Sequence, residues 1–166
     1  MHDGHPPLAE VFSCARCGDC CRGTGGVVLR QRDSERLAAS LGIVVPVFLR
    51  RYTETVSGKL RLAARPGGLC ALAVAEGCSV HAAKPDICRA WPFFRGNLVD
   101  PVSFSLAGEG CPGILKGVSF SLFVSVGVRY LLARGIYRSP GEDGNRCPNA
   151  LMPEGMLRQM AGWALP

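Results

Sequence analysis

At 166 residues, with 48% hydrophobic side chains, the chain is long enough for one cored domain and marks no second one. Its 21 glycines, 12 prolines and nine cysteines call for many turns and for something besides packing to hold them. The formal charge of +6 does not argue for nucleic acid: no basic run interleaves with aromatics, and two four-thiolate metal sites would bring the excess to about +2.

Met1 to Glu10 carries neither a basic n-region nor an apolar h-region, so no secretory leader is expected and a cytoplasmic setting follows. Residues 1–11 read as a flexible terminus in which His2 and His5 do nothing. Phe12 to Cys21 (FSCARCGDCC) is too dense in cysteine and glycine for a periodic element and predicts an irregular loop shaped by ligation. Gly26 to Leu29 predicts a short strand. Asp33 or Ser34 offers an N-cap for a helix carrying Leu37, Ala38 and Leu41 and stopped by Gly42, and Pro46 starts a further turn or two to Tyr52.

Lys59 to Ala63 alternates as a strand does, and Arg65 to Gly68 turns the chain toward Cys70. Pro85 is placed to start a short helix presenting Cys88. From Gly113 to Arg134 glycine is the sole breaker, and apolar residues run nearly all round, which predicts the longest helix and its burial. The most apolar stretch, Val118 to Val128, is about half the roughly 20 residues of a membrane-spanning helix, so no span is expected. Ser139 to Pro148 is turn-forming, and Pro153 to Trp163 predicts a terminal helix. The expected fold is small, loop-rich, metal-stapled α+β: short helices, a few short strands and one longer buried C-terminal helix. Residues 12–113 form its cysteine-cluster region and 114–166 its helical remainder.

Free thiols at this density are a hazard, and in a reducing compartment clustered cysteines bind metal or do redox chemistry more often than they pair. Cys14, Cys17, Cys20 and Cys21 form C-x2-C-x2-C-C, in which two-residue spacers let successive sulfurs converge on one centre. The run shares its opening with bacterial ferredoxins, but its third and fourth cysteines are adjacent, so ferredoxin itself is not indicated. Cys70, Cys78, Cys88 and Cys111 are spaced too irregularly to imply a metal alone, and each has a buried structural cysteine as its alternative reading. Four further cysteines in one adjoining span would complete two four-coordinate sites. Cys147 is left over and is not expected to ligate. Because neighbouring side chains on an extended backbone diverge, Cys20 and Cys21 are expected to split between two close centres.

Cys14-Ala-Arg-Cys17-Gly-Asp-Cys20-Cys21, Cys70, the segment from Cys78 through His81, Lys84-Pro85 and Cys88-Arg89 to Trp91-Pro92, and Cys111-Pro112-Gly113 together resemble the YkgJ-like cysteine-cluster family. That family is described as a zinc- or iron-chelating domain and as iron-sulfur-cluster-containing. The resemblance spans roughly residues 12–113 and implies a metal-binding role for all eight cysteines. Lys84 departs from the arginine often found there and loses its planar fork. His81 stands where family members often carry an aromatic, and packing beside the site is expected of it rather than ligation. Arg16, Arg22 and Arg89 flank the ligands and can offset thiolate charge. Trp91, Phe93 and Phe94 either shield the centre or fill core.

The favoured function is therefore a metal-binding protein with an iron-sulfur centre, [4Fe-4S] preferred, in electron transfer, redox or structural service. The alternative is a structural zinc module acting through a protein partner's surface. A metal-dependent enzyme, or an accessory to one, is the third reading. The resemblance reaches flagellin lysine methylases, yet the chain has no glycine-rich loop between a strand and a helix for a nucleotide-like methyl donor.

Overall fold

The computed structural model describes residues 7–22, 26–142 and 148–163. The fold is α+β, with short helices, small antiparallel strand pairs and a longer helix in the C-terminal part. Two compact units divide the chain: Arg16–Arg89 with Gly141–Asn149, and Met1–Ala15 with Ala90–Pro140 and Ala150–Pro166. The first is mixed and the second helical.

In the mixed unit, α1 spans Gln31–Ser40. Arg30 is its N-cap, and the Arg30 N–H donates to Asp33 Oδ2 at 3.0 Å. Asp33 therefore sits in the first turn rather than at the cap, where a carboxylate also meets the positive end of the helix dipole. Leu37 and Ala38 face the core, and Gly42, at φ +66°, turns the chain out of the helix as expected. Helix α2, Val45–Tyr52, has Pro46 in its first turn and buries Phe48 completely.

Tyr52 leads straight into β1, Thr53–Val56, which pairs antiparallel with β2, Lys59–Leu62. The connecting Ser57 and Gly58 both have positive φ, 50° and 75°, the conformation whose twist suits a two-residue hairpin. The expected strand at Gly26 to Leu29 runs beside β2 as a bridge rather than a ladder, with Leu29 N–H donating to Leu60 and Leu62 N–H to Val27, each at 2.9 Å. Leu29, Leu37, Ala38, Phe48, Leu62, Leu72, Val80 and Ala83 form the core of this unit.

Two smaller hairpins follow: β3, Ala64–Arg65, with β4, Leu69–Cys70, and β5, Ala73–Val74, with β6, Gly77–Cys78. A 3-10 turn at His81–Ala83 and helix α3 at Asp86–Ala90 complete the cysteine-bearing stretch. An ion network ties α3 to α1. Asp86 Oδ2 accepts from Arg30 Nη1 at 3.3 Å and from Arg32 Nε at 2.6 Å, and Asp86 Oδ1 from Arg36 Nη2 at 3.1 Å. Asp33 Oδ1 in turn accepts the Asp86 N–H at 2.9 Å and Arg36 Nη2 at 2.6 Å. Loss of hydration and then the Asp86 charge push the Asp33 carboxyl above the usual aspartate range, against the N–H groups of Arg30 and Asp86 and the Arg36 charge.

In the helical unit a 3-10 turn at Leu8–Glu10 precedes Val11, which is fully buried. Phe12 bridges Ile114, and the Ser13 N–H donates to the Gly113 carbonyl at 2.8 Å. Helices α4, Arg95–Val99, and α5, Pro101–Gly110, meet at Asp100, whose carboxylate caps α5 by accepting from Val102 and Ser103 N–H. Helix α6, Phe120–Arg134, is the longest element, as expected, though Ser119 caps it later than Gly113 and Gly135, at φ +62°, ends it. Helix α7 covers Glu154–Trp163.

Phe93 is buried with its ring centroid 4.8 Å from Phe123 and 5.8 Å from Tyr130. A Cβ at Gly127 would lie 2.3 Å from the Phe93 ring. Gly127→Ala is accordingly expected to overpack this core and cost about 1–3 kcal/mol, read as a lowered urea midpoint. Among the described residues no helix is long and apolar enough to cross a membrane. His2, His5 and Cys147 lie outside the described residues.

Candidate metal centre

Three parts of the mixed unit deliver six cysteines: the first loop carries Cys17, Cys20 and Cys21, the small hairpins carry Cys70 and Cys78, and α3 carries Cys88. All are thiols rather than disulfides. The first loop is pinned at both ends beside the hairpin cysteines. At its start the Arg16 carbonyl packs on Gly77, the residue before Cys78, so closely that a Cβ there would sit 2.7 Å from the oxygen. At its end Arg22 bridges Leu69, the residue before Cys70. Arg16 has a φ of 56° and Gly77 of 108°, so both turn the backbone where the loop meets the hairpin.

Gly77→Ala combines a clash with a strained backbone and is expected to cost about 2 kcal/mol or more and to lift the loop off Cys78. Metal content per folded chain, measured beside thermal stability, should fall. Full metal content would show that the loop does not depend on this approach.

Arg65 stabilises the hairpins from the side, its Nη2 donating to the carbonyls of Cys70, at 3.3 Å, and of Ala73. A cleft of about 190 Å³ opens beside the cluster, lined by Cys20, Cys21 and Cys70 together with Val27 and Leu62.

Cys20 and Cys21 lie in a 3-10 turn, Asp19–Cys21, rather than on the extended backbone assumed from the sequence. Interaction with the neighbouring Cys21 side chain, followed by burial and the Cys21 charge, pushes the Cys20 thiol far above its ordinary value, while the same interaction lowers Cys21 against burial and the charges of Cys78, Cys70 and Cys88.

Cys88 keeps part of its surface open, yet loss of hydration is the largest cause raising its thiol, followed by the charges of Cys20, Cys70 and Cys78. Burial likewise raises Cys70 against the N–H groups of Leu72 and Ala73, with Cys78 adding to the rise. For Cys17 the Asp19 N–H favours the thiolate, but the Asp19 carboxylate, burial and Cys20 outweigh it. Cys20, Cys21, Cys70 and Cys88, on the turn, a hairpin and α3, thus each feel the charge of at least one other cysteine of the group, and Cys17 feels that of Cys20. Lys84 lowers both Cys20 and Cys88 and so supplies the positive charge that the sequence suggested, from an ammonium rather than a guanidinium. A cation gathering these thiols would displace their protons, so its uptake strengthens as pH rises.

Among the described residues no three His, Cys, Asp or Glu side chains already stand in chelating geometry. The donor set nevertheless fits the chemistry of thiophilic iron and zinc: sulfur throughout, gathered on short elements, with a cation beside it.

Cys14 and Cys111 belong to the helical unit, where the Phe12–Ser13 and Gly113–Ile114 pairing brings their two segments together. Trp91 Nε1 donates to Cys111 Sγ at 3.3 Å, so Trp91 serves a candidate ligand directly. Its ring meets Phe94 edge-on, whereas Phe93 fills core. Arg89 Nη2 donates to the Ala82 carbonyl at 2.9 Å and braces the turn before α3. His81 lies between β6 and α3. Its Nε2 is buried, and burial, followed by Lys84 and Arg16, pushes the imidazole below its usual range.

These features define a cysteine-cluster α+β protein. Residues 13–112 match the CxxCxxCC family, described as a "putative zinc- or iron-chelating domain", and the chain belongs to that family. Comparison with curated proteins and with solved structures returns no match.

Proposed function

We propose that the chain is a metal-binding protein whose thiols hold an iron-sulfur centre, with a redox, electron-transfer or structural role in the cytoplasm. The carrying observation is that Cys17, Cys20, Cys21, Cys70, Cys78 and Cys88 gather in one unit. One zinc ion takes about four ligands and an iron-sulfur cube is likewise held by about four cysteines, so the gathered thiols exceed one site of either kind, and it is the sulfur-only donor set that supports iron-sulfur chemistry. Cys14 and Cys111 join the ligand set on the sequence pattern alone. Such a centre would supply one-electron chemistry or a structural staple. The chain's thiols would hold it, and Lys84 would offset its charge.

Zinc is the second reading, since the family is described as zinc- or iron-chelating and zinc accepts the same thiolates. Purification without oxygen, followed by a visible spectrum and elemental analysis, separates the two. Broad visible absorbance with matched iron and sulfide supports the iron-sulfur centre. A colourless protein with stoichiometric zinc replaces it with the zinc module, and a chain that takes up neither metal on reconstitution removes both.

A further inference from the structure

The sequence expectation for His81 is packing beside the site rather than ligation. His81 Nε2 is buried and has no hydrogen-bond partner. A buried ring nitrogen without a partner is costly, so a native site that keeps one needs an explanation. A polar core contact does not supply it, since none is made, and water is excluded from the atom by its burial.

The surroundings point to metal. His81 opens the 3-10 turn that begins three residues after Cys78 and leads into the helix carrying Cys88. The charges of Lys84 and Arg16 act on it. Arg16 is the residue packed on Gly77 and adjoins Cys17, and Lys84 is the cation that reaches Cys20 and Cys88. The imidazole thus shares its neighbours with the thiol cluster. A neutral imidazole with a lone pair is a borderline donor that both zinc and iron accept beside thiolates.

We propose that His81 ligates the bound metal through Nε2, giving this chain a mixed sulfur and nitrogen centre where its family pattern alone implies sulfur. The inference rests on the metal-binding reading of the preceding section and holds for either metal.

The experiment is zinc reconstitution of the stripped full-length chain, with zinc-edge X-ray absorption and a competition titration. Wild type should show the outer-shell scattering of an imidazole ring, and a His2→Ala/His5→Ala variant should keep it. His81→Ala should lose it and weaken zinc at least about tenfold. Because His81→Ala opens space, His81→Phe is run beside it: this variant fills the site without a donor and should lose the same signal while remaining folded by circular dichroism. Zinc bound by wild type with sulfur scatterers alone overturns the His81 assignment and leaves the thiolate reading standing. An imidazole signal that survives in His81→Phe overturns it too. A wild-type chain that binds no zinc and no iron removes both.

Discussion

Stripping metal from the loaded protein is expected to loosen residues 16–89 far more than helix α6. The reason lies in the lengths of the elements. The hairpins at Ala64 to Cys70 and Ala73 to Cys78 pair two residues per strand, and an isolated hairpin is marginal in water even at greater length. A structural thiolate site contributes on the order of 10 kcal/mol or more to folding, comparable with the roughly 5–15 kcal/mol of a whole domain. Helix α6, by contrast, has 15 residues, a Ser119 cap, a left-handed Gly135 stop and a buried face of Phe123, Val126 and Leu131. Hydrogen exchange on loaded and stripped protein should show protection collapsing across the cysteine loop and the small hairpins while α6 keeps its own. Equal protection across Arg16 to Arg89 in both states would refute the stapling argument.

Asp86→Ala is expected to be the most damaging single substitution outside the cysteines. The Asp86 side chain is 4% exposed and that of Arg30 is 8% exposed, so deletion of the carboxylate leaves a guanidinium in a nearly dry setting with one fewer counter-charge. Removing one partner of a buried pair costs about 3–5 kcal/mol, because the other charge stays buried. Arg36 and Arg32 lose an acceptor as well, and α3 loses its tie to α1 two residues before Cys88. Urea unfolding of the metal-free protein reads this without masking by ligation, and Asp86→Asn, which keeps one acceptor, should recover part of the loss. A cost below about 1 kcal/mol would show that the arginines find other partners or reach water.

The elements legible from sequence are those with punctuation. Pro46 opened α2, Gly42 closed α1, and the alternation from Lys59 to Leu62 marked β2. Strand β1 was missed because it begins at Thr53 directly after Tyr52, with no turn residue between helix and strand. Helix α5 was missed because Val102, Ser103, Phe104, Ser105 and Leu106 alternate as a strand would. The Asp100-Pro101 pair, a capping carboxylate before a proline at the first helical position, was the signal that distinguishes them. Among the cysteines, only the C-x2-C-x2-C-C run suggests ligation by its spacing, whereas Cys70, Cys78, Cys88 and Cys111 enter through their number and the family resemblance. The ion network was not, since Asp33 and Asp86 lie 53 positions apart and nothing local links an acid to an arginine in another helix. The tight turn at Cys20 and Cys21 was not legible, because two adjacent cysteines carry no turn signal of their own and an extended backbone was assumed.

The pairing of Arg30 with Glu142 has a consequence for the order of synthesis. Their hydrogen bond, 3.1 Å from Nη2 to Oε2, closes a stretch of 112 residues, and Gly141–Asn149 belongs to the same compact unit as α1. On the ribosome the cysteine-bearing segment emerges early, but its unit gains this carboxylate only after α6 has been made. Chain-closing contacts of such span form late and slowly. For most of translation, then, the thiols stand in an unfinished unit, and a metal acquired at that stage would act as a scaffold for the nascent chain rather than as cargo loaded into a finished one.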